Sequence, residues 1–379
     1  MNIPLLDLKG IFKAQEAELR AAMDRVLESQ YFINGPEVAA FERQMEAFLE
    51  HEPISAVGCS NGSIALLLAM MALDIGPGDE VLVPTYSFFA TVSCVTLVGA
   101  TPVWVDIDPH TCNIDHTQIQ DKLTDRTRAI IPVHLFGRMA DVAAIEQILN
   151  DTGRRQQVAI IEDCAQSLSS RYKGRRACTF GDLSTLSFFP SKNLGAYGDG
   201  GMVIARDPDL AHKVRVLARH GAEVKYHHQF VGLNSRLDAL QAAILGVKLP
   251  MLDDWSQQRR DNAQRYRQLF AQTGLGGAVR LPADDEGGYL HVYNQFNLLV
   301  ERRDALRQYL KDAGVGTAIY YPMPLHLQPC FAHLGAKEGD YPVSEAAANT
   351  SLAIPVFPGL TAAQQERVVS LIVDFYKGQ

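Results

Sequence analysis

Residues 187–201 read SFFPSKNLGAYGDGG. One lysine, Lys192, stands between an apolar run and a glycine-rich loop. Most lysines are solvated surface groups. Here the flanks are Phe188, Phe189 and Pro190, and the glycines downstream let the backbone pass close to something flat. A lysine in apolar surroundings gives up its proton and becomes a nucleophile. A second reactive type sits in VAIIEDCAQS, residues 158–167, where an apolar run ends on Glu162 and Asp163. A carboxylate at the end of a buried strand is costly unless it meets a cation, such as the protonated ring nitrogen of a cofactor. The plain alternative is an aspartate capping the next turn. Gln166, three residues on, can face the same crevice. A third stretch, AVGCSNGSIALLLAMM (56–71), sets Gly62 and Ser63 just ahead of an apolar helix. A helix start presents unpaired N–H groups and a positive dipole end, which suits a phosphate; otherwise Ser60 or Asn61 is simply the cap.

The elements around these residues decide whether they meet. VLVP (81–84), PVWVDI (102–107), AIIPVH (129–134), VAIIEDCA (158–165) and LSTLSFF (183–189) predict strands apolar enough for a parallel sheet covered on both faces. Helices are predicted between them at 88–98, 115–123, 140–151 and 208–219. This alternation predicts an α/β fold with ligands at the carboxyl ends of the strands. Ser187 then adds a hydroxyl at a strand end. Phe88, in PTYSFFAT, follows the first of these strands and either covers a flat ligand or packs in the core. A helix over 12–29 packs outside the sheet. Pro250 separates helices at 235–247 and 253–271. After GLGG (274–277) the pattern changes, to a strand at 293–300, a helix at 302–314 and a last helix near 361–377. The expected division is a large domain, 1–250, and a small C-terminal domain, 251–379.

The bulk numbers exclude several function classes. A chain of 379 residues suits a large domain with a smaller companion. The formal net charge of -8 repels a nucleic acid on average, while a small anion needs only a few local Arg or Lys side chains. No apolar run reaches membrane-spanning length, and MNIPLLDLKG has no basic segment leading into an apolar one, so a cytoplasmic protein is expected. The six cysteines form no C-x-x-C pair, which predicts reduced thiols and no zinc site. KYHHQ (225–229) predicts no metal either, since neighbours in a strand point to opposite faces. No G-K-[ST] follows Gly62, and GAYGDGG is not a dinucleotide fingerprint.

A phosphate-ready helix start, a strand-end carboxylate and a desolvated lysine on one sheet edge form the set that pyridoxal 5'-phosphate (PLP) requires. The motifs IGPGDEVLVPTYSFFAT, IIPVHLFG, IEDCAQS, SFFPSKNLGAYGDGG, LNSRLDALQAA and YYPMPLHLQ follow one another in order. Over nearly its whole length the chain resembles the DegT-type nucleotide-sugar aminotransferases, fold-type I PLP enzymes. The resemblance implies a large domain with a mostly parallel central sheet and a smaller C-terminal α+β domain. It implies that Lys192 carries PLP and shuttles the proton, that Asp163 pairs with the pyridinium nitrogen, and that Gln166 lies beside the ring. Phe88 would stack on that ring, and Gly62, Ser63 and Ser187 would hold the phosphate. Asn234, from the neighbouring subunit of a homodimer with shared active sites, would join them, and Arg236 would reach the substrate's diphosphate or acidic group. The family's late His-Tyr-Pro reads Tyr320-Tyr321-Pro322 here, so Tyr321 matches while Tyr320 replaces a substrate-side histidine; His326 is a candidate to take its place. The implied reaction moves an amino group, with L-glutamate as expected donor, to a nucleotide-linked keto sugar, with a lean to carbon 3. Alternatives are a lyase or dehydratase using the same cofactor, or a non-catalytic regulator binding PLP or a sugar nucleotide. Lys192 favours transamination, because some relatives with histidine there are dehydratases.

Overall fold

The computed structural model describes residues 2–51 and 53–378. Short apolar segments with no polar face can be satisfied only in a sheet covered on both sides, and seven of them form one sheet. They are β1 (Ser55–Cys59), β2 (Glu80–Pro84), β3 (Thr101–Val105), β4 (Thr127–Ile130), β5 (Ala159–Asp163), β6 (Leu183–Ser187) and β7 (Gly201–Ala205). The spatial order is β1-β7-β6-β5-β4-β2-β3. The contacts from β6 through β5, β4 and β2 to β3 are parallel. Only β7 runs the other way, pairing antiparallel with both β6 and β1.

That reversed strand shapes the functional edge. Its first residue, Gly201, is in register with both Ser187 and Cys59. The ends of β6 and β1 therefore flank the start of β7, with Asp163 at the end of the adjacent β5. The helix Gly62–Ala72 leaves β1 directly and is apolar around much of its circumference. It fills the space between sheet and outer helices, in a core with Val203, Val214 and Leu217.

After the helix Ala239–Lys248, the 3₁₀ turn Leu249–Met251 contains Pro250 and leads into the long helix Leu252–Ala271. Beyond it, β8 (Val279–Arg280), β9 (Phe296–Val300) and β10 (Ser351–Ile354) form an antiparallel sheet packed against Arg303–Asp312 and Ala362–Lys377. The first residues of the chain close onto this part: Ile3 is fully buried among it and bridges Val315.

Several elements differ from the expected ones. The helix expected over 12–29 is two, Leu8–Ala14 and Glu16–Ser29, broken at Gln15 where φ is -128°. The expected helix at 115–123 shrinks to a 3₁₀ turn and the single turn Ile119–Lys122. Strands β1, β7 and β10 and the helix Pro36–Leu49 were not anticipated. β1 and β7 are short, glycine-containing and antiparallel, and pairing rather than periodicity makes them strands.

Candidate active site

Asp163 ends β5 and is 5 % exposed. Its Oδ2 accepts from Thr91 Oγ1 at 3.0 Å and its Oδ1 from the Ala165 N–H at 3.2 Å. Thr91 Oγ1 also lies 3.0 Å from Ser87 Oγ. Burial pushes the Asp163 carboxyl above its ordinary range, against these donors and the charge of Lys192. Lys192 is partly buried. Desolvation pushes its amine down to about 8, while the Asp163 carboxylate pulls the other way. Each group is thus biased toward its neutral form by the same dry crevice.

Gln166 and Tyr321 make the second wall. The Gln166 amide donates to the Tyr321 hydroxyl at 3.0 Å, and its oxygen accepts from the Phe136 N–H at 2.7 Å. Tyr86 pins the segment behind them. Its hydroxyl donates to the Tyr320 carbonyl at 2.5 Å and accepts from the Tyr321 N–H at 2.7 Å. The Phe88 ring lies 6.1 Å from that of Tyr321 and is 55 % exposed, so it is a wall of open space and not a core residue. Tyr320 is half-buried, with its ring 5.8 Å from Tyr321.

At the other end of the crevice, Asn61 caps the helix Gly62–Ala72 by accepting from the Ile64 N–H at 2.9 Å. The first-turn N–H groups of Gly62 and Ser63 have no partner within the helix. Glycine is required here for closeness: a Cβ on Gly62 would lie 2.6 Å from Ser187 Cβ, and one on Gly201 would lie 2.4 Å from the Asn61 carbonyl. Gly62, Ser63 and Ser187 are therefore brought together. Asn234 and Arg236 run beside them, since the Ser60 N–H donates to the Ser235 carbonyl at 3.2 Å and Arg236 bridges Cys59. Within the chain the Arg236 guanidinium donates to the exposed Asn234 side chain. His326 lies on a 3₁₀ turn whose Leu325 N–H donates to the Thr85 carbonyl at 2.7 Å. The histidine is 1 % exposed, its Nε2 is 3.1 Å from Glu345 Oε1 and its ring is 4.7 Å from Tyr341, while its Nδ1 is buried with no partner among the described residues.

A polar layer lies beneath. Glu162, next to Asp163, is fully buried and meets His134 Nε2 at 2.9 Å. It also accepts from the N–H groups of Phe180 and Gly181 and from Ser184. His134 Nδ1 accepts from the Ala140 N–H at 3.0 Å, so this ring nitrogen offers a lone pair and the proton sits on Nε2. With Cys164 these residues form the one potential metal-ligand group among the described residues, and Glu162 and His134 commit their ligand atoms to the hydrogen bonds above. His227 and His228 lie on an exposed hairpin outside it.

Sequence reading missed Thr91, His134 and Tyr86. Thr91 and Tyr86 stand within PTYSFFAT, three positions after and two before Phe88, so the stretch was legible though the roles were not.

These features define an α/β enzyme crevice of the kind that binds a flat phosphorylated cofactor, and comparison with known proteins agrees. Residues 13–373 match the DegT/DnrJ/EryC1/StrS aminotransferase family, and the chain belongs to it. A pleiotropic regulatory protein of Geobacillus stearothermophilus is 45% identical over 100% of this chain and 99% of its own. A UDP-N-acetyl-3-dehydro-alpha-D-glucosamine 3-aminotransferase of Acidithiobacillus ferrooxidans is 41% identical over 98% and 97%. The crystal structure of S. venezuelae DesV in complex with a ketimine intermediate superposes with a TM-score of 0.94 at 38% identity, covering 99% of both chains. No helix among the described residues is long and apolar enough to cross a membrane.

Proposed function

We propose that this chain is a PLP-dependent aminotransferase that moves an amino group from L-glutamate to carbon 3 of a nucleotide-diphosphate-linked keto sugar, working as a cytoplasmic homodimer. The observation that carries this reading is the Asp163–Lys192 arrangement: a buried carboxyl and a desolvated amine whose charges act on each other. The donor set fits the cofactor. A carboxyl pushed up by burial calls for a cationic N–H partner, and a pyridinium supplies one. The helix start with Ser187 suits a phosphate dianion.

When bound, PLP supplies a reactive aldehyde and an electron-accepting ring. This chain does the rest. Lys192, neutral in part near pH 8, would hold the cofactor through its amine, and the same amine when free would serve as the base that moves the proton. Asp163, oriented by Thr91 and Ala165, would keep the ring nitrogen protonated. Gln166 and Tyr321 would line the ring's edge, Phe88 would cover a face, and Gly62, Ser63 and Ser187 would hold the phosphate. Asn234 of a neighbouring subunit would join them, and Arg236 would take the anionic part of the substrate. The carbon-3 assignment is supported by the 3-aminotransferase named above. The complete Lys192–Asp163 pair supports turnover over a purely regulatory role.

The test is to incubate the holoenzyme with glutamate and UDP- or dTDP-linked 3-keto and 4-keto sugars, following 2-oxoglutarate and amino sugar. A 3-keto sugar should turn over, and Lys192→Ala should abolish it. A wild-type protein with no borohydride-fixed cofactor and no turnover defeats the proposal.

A further inference from the structure

We infer that Lys248 is a positioning residue that, with Gln241, clasps from behind the loop carrying Lys192; this rests on the reading that Lys192 carries the cofactor. Both side chains come from the helix Ala239–Lys248, seven residues apart and hence on one face. Lys248 is 4 % exposed, and its ammonium donates to the Gly195 carbonyl at 2.5 Å while lying 4.3 Å from the Tyr197 ring centroid. Gln241 Oε1 accepts from the Tyr197 N–H at 2.8 Å.

The clasped loop is a closed turn. The Lys192 N–H donates to the Phe189 carbonyl and the Ala196 N–H to the Phe188 carbonyl, each at 2.8 Å. A Cβ on Gly195 would lie 2.3 Å from the Pro190 carbonyl oxygen, so Gly195 rests directly on the start of the turn. Holding Gly195 and Tyr197 therefore holds the backbone from which Lys192 projects. Apolar packing holds only one side of this loop, where Leu194 and Ala196 are buried against Phe188 and Leu237. A cavity of about 30 Å³ borders Lys192, Asn193, Gly195, Tyr197 and Lys248. Asn193, the next residue after Lys192, is buried with neither amide atom partnered among the described residues.

A buried ammonium is costly, and burial pushes Lys248 down to about 8 with no opposing carboxylate. For packing alone a methionine would serve at lower cost. A carbonyl and an aromatic face together instead favour a cation. The same helix follows directly on Asn234 and Arg236, so the clasp ties the lysine loop to the segment on the phosphate side.

The experiment uses full-length wild type, K248M, K248R and Q241A, stripped of cofactor and given PLP. It reads the rate of attachment to Lys192 by absorbance and borohydride fixation, the pH midpoint of the visible band, and the thermal midpoint of the cofactor-free protein. K248M should slow attachment about tenfold, on the scale of a small misplacement of a reacting group, and move the pH midpoint. K248R, which keeps the donor and the cation, should recover most of that loss, and Q241A should slow attachment a few-fold. K248M and Q241A both within twofold of wild type, with an unmoved midpoint, overturn the inference whatever their thermal stability. K248R as slow as K248M also overturns it, by pointing to side-chain shape. Should K248M not fold, Q241A decides alone. A wild type that never takes cofactor on Lys192 brings down the functional reading and this inference together; a normal wild type with indifferent variants brings down only the inference.

Discussion

Thr91 Oγ1 donates to Asp163 Oδ2 across 3.0 Å, joining two residues 72 positions apart in the chain. The bond leaves Asp163 with one oriented oxygen on each donor and keeps its carboxyl from rotating in a site where burial works against its charge.

Removing that donor should weaken the cofactor end of the site. A hydrogen bond to a charged group contributes about 1.5–3 kcal/mol, so T91V should bind PLP roughly ten- to a hundredfold less tightly. T91S should stay near wild type. Titration of the cofactor-free proteins measures this, and equal affinity for T91V would mean that Thr91 does not hold Asp163 in the loaded site.

Asp163 should trade stability for activity. Its folded-state carboxyl is pushed up, so the fold disfavours the charged form, and this costs stability as pH rises above the ordinary carboxylate range. D163N removes the charge and keeps the shape. The cofactor-free variant should melt higher than wild type at pH 8, with the gap closing toward pH 4, while turnover falls by about a thousandfold. Thermal scans at the two pH values check the first half. A D163N that melts lower at pH 8 contradicts it.

Lys192 attacks only as the neutral amine. With the amine at about 8 rather than 10.5, attachment of PLP to the cofactor-free protein should rise with pH and level off above about 8. Between pH 8 and 10.5 the unfolded chain keeps a proton that the folded amine has released, so stability should rise with pH across that window. Lys248 acts in the same direction. K192M should therefore flatten part of that rise and leave the rest. An attachment rate still climbing toward pH 10 would show an ordinary lysine.

Gly62 is a matter of space. G62A puts a methyl 2.6 Å from Ser187 Cβ, and such overpacking costs about 1–3 kcal/mol. In G62A/S187G the opposing atom is gone, and a favourable coupling of about 1 kcal/mol or more should appear in denaturant unfolding. Additive losses would mean that the helix start and the end of β6 do not press on each other.

Lys192, Asp163, Gln166, Gly62, Ser63 and Ser187 drew attention through their local context: a lysine among aromatics, a carboxylate ending an apolar run, glycine before a helix. The β-α alternation was legible because buried parallel strands must be apolar throughout. The helix break at Gln15, strands β1 and β7, and the small sheet's last strand were not: β1 and β7 carry glycine and the last strand has four residues, so pairing with segments distant in the chain defines them. His326 shows the converse. Its motif suggested a substrate contact, and nothing in that motif signalled that the fold sets one ring nitrogen on Glu345 and the ring beside Tyr341.

The order and type of residues by themselves determined the family and the α/β class, since those depend on local apolar patterning and on motifs of a few residues. Only the tertiary structure decided that β7 runs backward, that Thr91 meets Asp163, that Tyr86 pins Tyr321 and that Lys248 reaches the Gly195 carbonyl. Each of those pairings joins segments remote in sequence, and a hydrogen bond or a desolvated charge depends on distance in space, which no spacing along the chain specifies.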